Sequence, residues 1–153
     1  MTRYEKTAWV LALGSIFITY YLGSAFRLIT FSDGVITAHN GLGYVCLKVI
    51  LIMVVIEVAA ELLNKKAAGK VECDERDEGI KLRASHIGLM FLSVMLVGGV
   101  AMLLLTQMLT IRALDITVMF ALMLYLLNIT WVVRHGAEIY LYRFGYDGEN
   151  EHY

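Results

Sequence analysis

Proline is missing altogether from this 153-residue chain. Nothing in the sequence therefore forces a break in a long helix, and the discontinuous helices that transporters often build around a substrate gain no support. Cysteine is nearly as scarce. Cys46 falls in an apolar stretch and Cys73 in a charged one, so neither a disulfide framework nor a CxxC redox pair exists, and two reduced, unconnected thiols are expected. Charge is sparse and almost balanced, 13 Lys and Arg against 14 Asp and Glu. That excludes the overall basicity with which proteins hold nucleic acid, and no nucleic-acid partner is expected.

Apolar surface fills the chain instead. Hydrophobic residues make up 59% of it, with a mean hydropathy of +0.67, well above the usual share of soluble domains. About 20 apolar residues cross the ~30 Å of bilayer hydrocarbon, and four segments qualify, at about 7–29, 41–63, 84–109 and 113–133. Tyr4, Trp9, Phe26, Phe31, Tyr44, Trp131, Tyr140 and Tyr142 fall near their ends, where aromatic rings anchor in headgroups. The expected fold is all-α: a polytopic membrane protein in one domain over 1–153, built as an antiparallel bundle of four transmembrane helices. Phe31–Asn40 and Thr110–Arg112 are read as short turns, Ser32-Asp33-Gly34 supplying ordinary turn chemistry. Helices joined so closely should be antiparallel neighbours.

Orientation follows from the basic residues. Ten lie at the N-terminus, between spans two and three, or in the tail, against Arg27 and Arg112 on the other side, with Lys48 inside a span. The positive-inside rule then places both termini and the loop 64–83 in the cytoplasm, in a multi-pass plasma-membrane protein surrounded by lipid. A competing reading takes Arg3, Lys6 and the following apolar run, ending at Gly23-Ser24-Ala25, as a signal peptide. The run is long for a signal core, carries Tyr20 and Tyr21, and its removal would leave an odd number of spans, so a retained first span is expected.

The loop ends in Asp74-Glu75-Arg76-Asp77-Glu78-Gly79-Ile80. Asp74 suits an N-cap, and the acids after it suit the positive end of a helix. Asp77 and Lys81 have the favourable i,i+4 order. The third helix is therefore expected to start near Glu75 and to extend about 15 Å into the cytoplasm before entering lipid near Ala84. Helix four is expected to continue into the tail 134–153, which then lies at the interface. The motif, with Tyr142-Arg143-Phe144-Gly145 after the last span, resembles a set of small uncharacterised prokaryotic membrane proteins with an Asp-Glu-Arg-Asp-x-x-Ile stretch opening a transmembrane helix and a Tyr-Arg-x-Gly-like tail. The resemblance implies a prokaryotic plasma membrane and carries no activity.

Six ionisable residues form a candidate intramembrane cluster: Lys48, Glu57, Glu61, His86, His135 and Glu138. Charges at a bilayer centre cost at least ~2.5 kcal/mol unless paired or hydrated. Lys48 is near enough to the outer end to snorkel. It stands nine positions from Glu57, on the opposite face, so the two are not an intrahelical pair. Glu57 and Glu61 share a face, i,i+4, expected to turn inward toward His86 and the i,i+3 pair His135 and Glu138. Structural neutralisation is one reading of this cluster; a proton or cation site centred on Glu57 is another. A Glu/His transition-metal site is a third, with no compact two-His motif behind it. Asp74, Glu75, Arg76 and Asp77 read first as a solvated helix start and second as a diphosphate site using Mg²⁺. Asn128 and Thr130 are expected to bond across helices. Ala84, Gly88 and Gly98-Gly99 would permit close helix approach, within the bundle or between copies in a homodimer.

Three functions stay in play. The first is a non-enzymatic membrane protein, needing no cofactor, that binds or regulates a protein partner at its cytoplasmic face. The second is a small proton- or cation-coupled transporter or channel using Glu57. The third is a membrane-embedded enzyme acting on a lipid-like substrate at Asp74 and Asp77.

Overall fold

A computed structural model describes the backbone of residues 3–68, 75–109 and 113–144, with side chains over 5–60, 62, 76–105 and 114–144. Cys73, Asp74 and the tail beyond Phe144 lie outside it, as do the side chains of Glu61 and Glu75. Four helices dominate: α1 (Arg3–Ala25), α2 (Leu42–Ala68), α3 (Glu75–Leu109) and α4 (Ile116–Phe144). Each is long and apolar enough to cross a membrane. Helix α3 opens at Glu75, where the Asp74 to Glu78 sequence predicts a start, and α4 continues ten residues past Arg134.

Apolar residues at three- and four-residue spacing give each core helix one buried stripe. Ile18, Leu22 and Ala25 of α1 meet Leu42, Cys46, Val49 and Met53 of α2 and Val118, Ala121 and Leu124 of α4. Helix α4 is the common partner, packed against α1, α2 and α3. Its contacts fix directions: Tyr125 faces Gly23 while Ile139 meets Ala8 and Ala12, and Leu126 faces Gly99 while Arg134 faces Gly88, so α4 runs antiparallel to α1 and α3. Thr117 faces Gly43 and Asn128 reaches Met53, which makes α4 and α2 parallel. The helices joined by short links, α1–α2 and α3–α4, do pack as neighbours.

Two features depart from expectation. The segment after α1 is not a plain turn. After a 3₁₀ turn at Phe26–Leu28, strands β1 (Ile29–Ser32) and β2 (Val35–Ala38) form an antiparallel hairpin, and β3 (Ala113–Leu114) adds parallel to β2. Asp33 and Gly34 have φ of 51° and 79°. Two left-handed residues in a two-residue loop match the right-handed twist of a hairpin, and Asp-Gly is its strongest short-range signal. β-Branched residues on both sides suit the pleated strands. The second departure is the start of the fourth helix, at Ile116 rather than 113, because Asp115 caps it and the two preceding residues pair with β2.

Helix α3 stands apart. It contributes Ile80 and Ala84 to the buried set, while Leu89, Val94, Val97, Met102 and Leu104 are exposed. A Cβ added at Gly88 would lie 3.1 Å from Arg134 Cβ, whereas one at Gly98 would meet nothing within 4 Å. The Gly88→Leu substitution should therefore push α3 off α4 and destabilise by about 1–3 kcal/mol, the usual cost of overpacking. Gly98→Leu should be neutral or mildly stabilising, since it removes a helix glycine in open space. Thermal unfolding of the purified variants in detergent checks both.

Candidate functional site

The polar residues gather at two ends: a terminal end, holding the start of α1 and the end of α4, and a hairpin end. At the terminal end, Ala8 and Ala12 admit Ile139 beside Trp9, bringing α1 and α4 close. On α4 the i,i+3 spacing puts His135 and Glu138 on one side. Both are buried, and His135 Nδ1 lies 3.3 Å from Glu138 Oε2. The ring of Trp131 stands edge-on to His135 at 6.4 Å.

One turn on, Arg143 Nε donates to Glu5 Oε1 at 3.4 Å, and its guanidinium lies 5.3 Å from the Trp9 ring centre. The Glu5 carboxylate is buried and the arginine half-exposed. Trp9 Nε1 is buried without a hydrogen-bond partner among the described residues. Glu5, Trp9 and Arg143 are functional candidates that sequence reasoning missed as a group. Glu5 and Arg143 are 138 positions apart, and only the antiparallel pairing of α1 with α4 makes them neighbours.

The cluster expected around Glu57 is not assembled among the described side chains. Glu57 is exposed on α2 and His86 is exposed on α3, while His135 faces Glu138. The inward turn expected of Glu57 is thus corrected. Its wheel neighbours Met53, Ile56 and Ala60 face the core and α1, with Ile56 lying against Gly14, and Glu57 sits just outside that covered face. The principal packing partners of α2 are α1 and α4, and that of α3 is α4, so α3 does not close over it. Lys48 is exposed, with Nζ 4.4 Å from the Tyr44 ring centre one turn toward the hairpin end, a cation–π distance. In the α3 motif Arg76 is exposed and Asp77 half-buried. No group of three or more His, Cys, Asp or Glu side chains is gathered among the described residues in a way that would hold a metal ion.

Deep in the core, Asn128 Nδ2 donates across helices to Met53 Sδ at 3.2 Å and back to the Leu124 carbonyl at 3.4 Å. Thr130 does not bond across helices as expected. Its hydroxyl donates to the Leu126 carbonyl of its own helix, the usual resort of a helical threonine.

At the hairpin end Asp115 ties three elements together. Its Oδ1 accepts from Thr117 N–H at 2.8 Å, capping α4, and its Oδ2 accepts from Ala38 N–H at 3.2 Å. Its own N–H donates to the Ile36 carbonyl at 2.9 Å. The Thr117 bond, followed by the Ala38 bond, holds the carboxyl below its ordinary value, because both donors favour the charged form. An aspartate directly before an apolar helical run is the signal that would have revealed it.

No family model matches the chain, and neither does any curated protein or solved structure.

The lowered carboxyl of Asp115 has a pH consequence. Its stabilising effect is fully present above the unfolded value near 3.9 and is lost as pH falls through the lower folded value. The wild type should therefore melt above Asp115→Ala at pH 6, and the gap should narrow as pH falls below about 4. Melting curves of both proteins in the same detergent from pH 6 to 3 measure it.

Proposed function

We propose that this chain is a non-enzymatic integral membrane protein of a prokaryotic plasma membrane that binds or regulates a partner through its cytoplasmic, terminal end. Four spans with both termini inside satisfy the ten-to-two distribution of basic residues. The observation that carries the partner reading is the exposure of Glu57. It lies in the apolar segment Leu42–Ala60, beside the exposed Val54, Val55 and Val58, with no partner among the described residues. An unpaired carboxylate in hydrocarbon is costly, about 2.5 kcal/mol or more at the bilayer centre. A cationic or hydrogen-bonding side chain from a second polypeptide removes that cost. Arg76, Glu78 and His86 are exposed on α3 toward the same end, so polar chemistry for a partner is present on two helices.

A cation-handling function would use the same carboxylate, so Glu57→Gln separates the readings. With a photoreactive residue in place of Val58, the wild type should crosslink to a discrete partner in native membranes, and Glu57→Gln should lose most of that product. An adduct of twice the chain's mass would identify the partner as a second copy. If no adduct forms at Val58, the partner reading fails. If Glu57→Gln keeps the adduct but abolishes proton or cation flux in proteoliposomes, the transport reading replaces it.

A further inference from the structure

At the hairpin end a groove of about 480 Å³ lies between α1 and α4. Ile16, Thr19, Tyr20, Gly23 and Arg27 line one side, and Tyr125 of α4 lines the other. Ile16, Thr19, Tyr20 and Gly23 lie on one face of α1 and Arg27 on the 3₁₀ turn that follows it, a strip about 16 Å long. Arg27 ends the strip in the last turn of the span Glu5–Leu28, at the depth where headgroups sit. Gly23 keeps the strip open, because a Cβ there would already touch the Tyr125 ring at 3.6 Å. The ring is held by Phe26, edge-on at 5.0 Å.

The polar groups of the groove point to an anion. Arg27 is exposed, has no acidic partner among the described residues, and no carboxylate lines the groove. The Thr19 and Ser24 hydroxyls donate to the Ser15 and Tyr21 carbonyls, so their protons are already committed. The Tyr20 and Tyr125 hydroxyls have no hydrogen-bond partner among the described residues, and the Tyr125 oxygen stands 3.9 Å from the Gly23 Cβ position. A guanidinium with two phenol donors above a strip floored by Ile16 matches a phosphate joined to an acyl chain. A soluble anion would leave the apolar strip unused. A zwitterionic headgroup would bring an ammonium with no acid to meet it.

We propose that this groove seats one anionic phospholipid, its phosphate on Arg27 and an acyl chain along Tyr20 and Ile16. The proposal rests on the helices crossing a bilayer and is independent of any partner at Glu57. The test is native mass spectrometry of the full chain released from detergent containing phosphatidylglycerol, phosphatidylcholine or inorganic phosphate. Phosphatidylglycerol should be retained about fivefold over phosphatidylcholine, because both bring a phosphate to Arg27 but the choline ammonium sets a second positive charge beside the guanidinium. Arg27→Gln should erase that preference, and Gly23→Leu should reduce retention of both lipids. Equal retention of the two lipids by the wild type overturns the proposal, as does an unchanged preference in Arg27→Gln or displacement of the lipid by inorganic phosphate. Arg27→Gln lies on the exposed surface and decides the matter even if Gly23→Leu fails to fold. A chain that stays dispersed without detergent would instead sink the membrane reading itself.

Discussion

Helix α4 packed along α1 is the contact on which the other elements depend. Its hairpin-end half inserts Val118, Ala121 and Leu124 between α1 and α2. Its terminal half closes on Ala8 and Ala12 through Ile139. The opposite face of the same helix receives α3 at Gly88. One helix thus serves three neighbours, and small residues at 8, 12, 88 and 121 let it approach closely. In a bilayer, where apolar burial between helices gains little over lipid, such close approach and a few internal hydrogen bonds hold helices together. The buried Asn128 amide on Met53 is one of those bonds.

A central α4 has consequences for charge. With α3 docked on α4, and α2 on α1 and α4, the covered face of α2 runs through Met53, Ile56 and Ala60, and Glu57 lies just outside it. His135 and Glu138, by contrast, lie where α4 is enclosed, and they satisfy one another. The terminal end therefore holds two kinds of ionisable group. His135 and Glu138 pair with one another and fix packing, while Glu57 and His86 face outward with no partner among the described residues.

The hairpin end is organised by a different constraint. Backbone groups at the mouth of a bundle need partners, and the three-stranded sheet supplies them by pairing β1, β2 and β3. Asp115 joins that sheet to the first turn of α4, so the hairpin and residues 113–115 form one hydrogen-bonded cap. The cap holds the ends of α1 and α4 in place, and with them Tyr125, Gly23 and Arg27 around the groove.

Much of the architecture was legible in the chain. Four apolar runs of spanning length, the absence of proline and the acidic start at Glu75 depend on local chemistry, and the helices follow them. The hairpin was half legible: Asp33-Gly34 is a turn signal, but Ile29 reads equally well as the end of a span, and a short β-branched run is ambiguous by periodicity. Asp115 was legible as a cap and was hidden by an apolar window that began two residues early. The site was another matter. The wheel of α2 puts Glu57 beside Met53 and Ala60, and a wheel predicts burial only where a neighbour exists to cover it. The sequence determined which residues can be helical, apolar or charged, because those properties belong to single residues and short windows. Tertiary structure alone decided that α4 would be shared by three helices, leaving Glu57 open and pairing Glu5 with Arg143, because which helix covers which is a property of the whole packing.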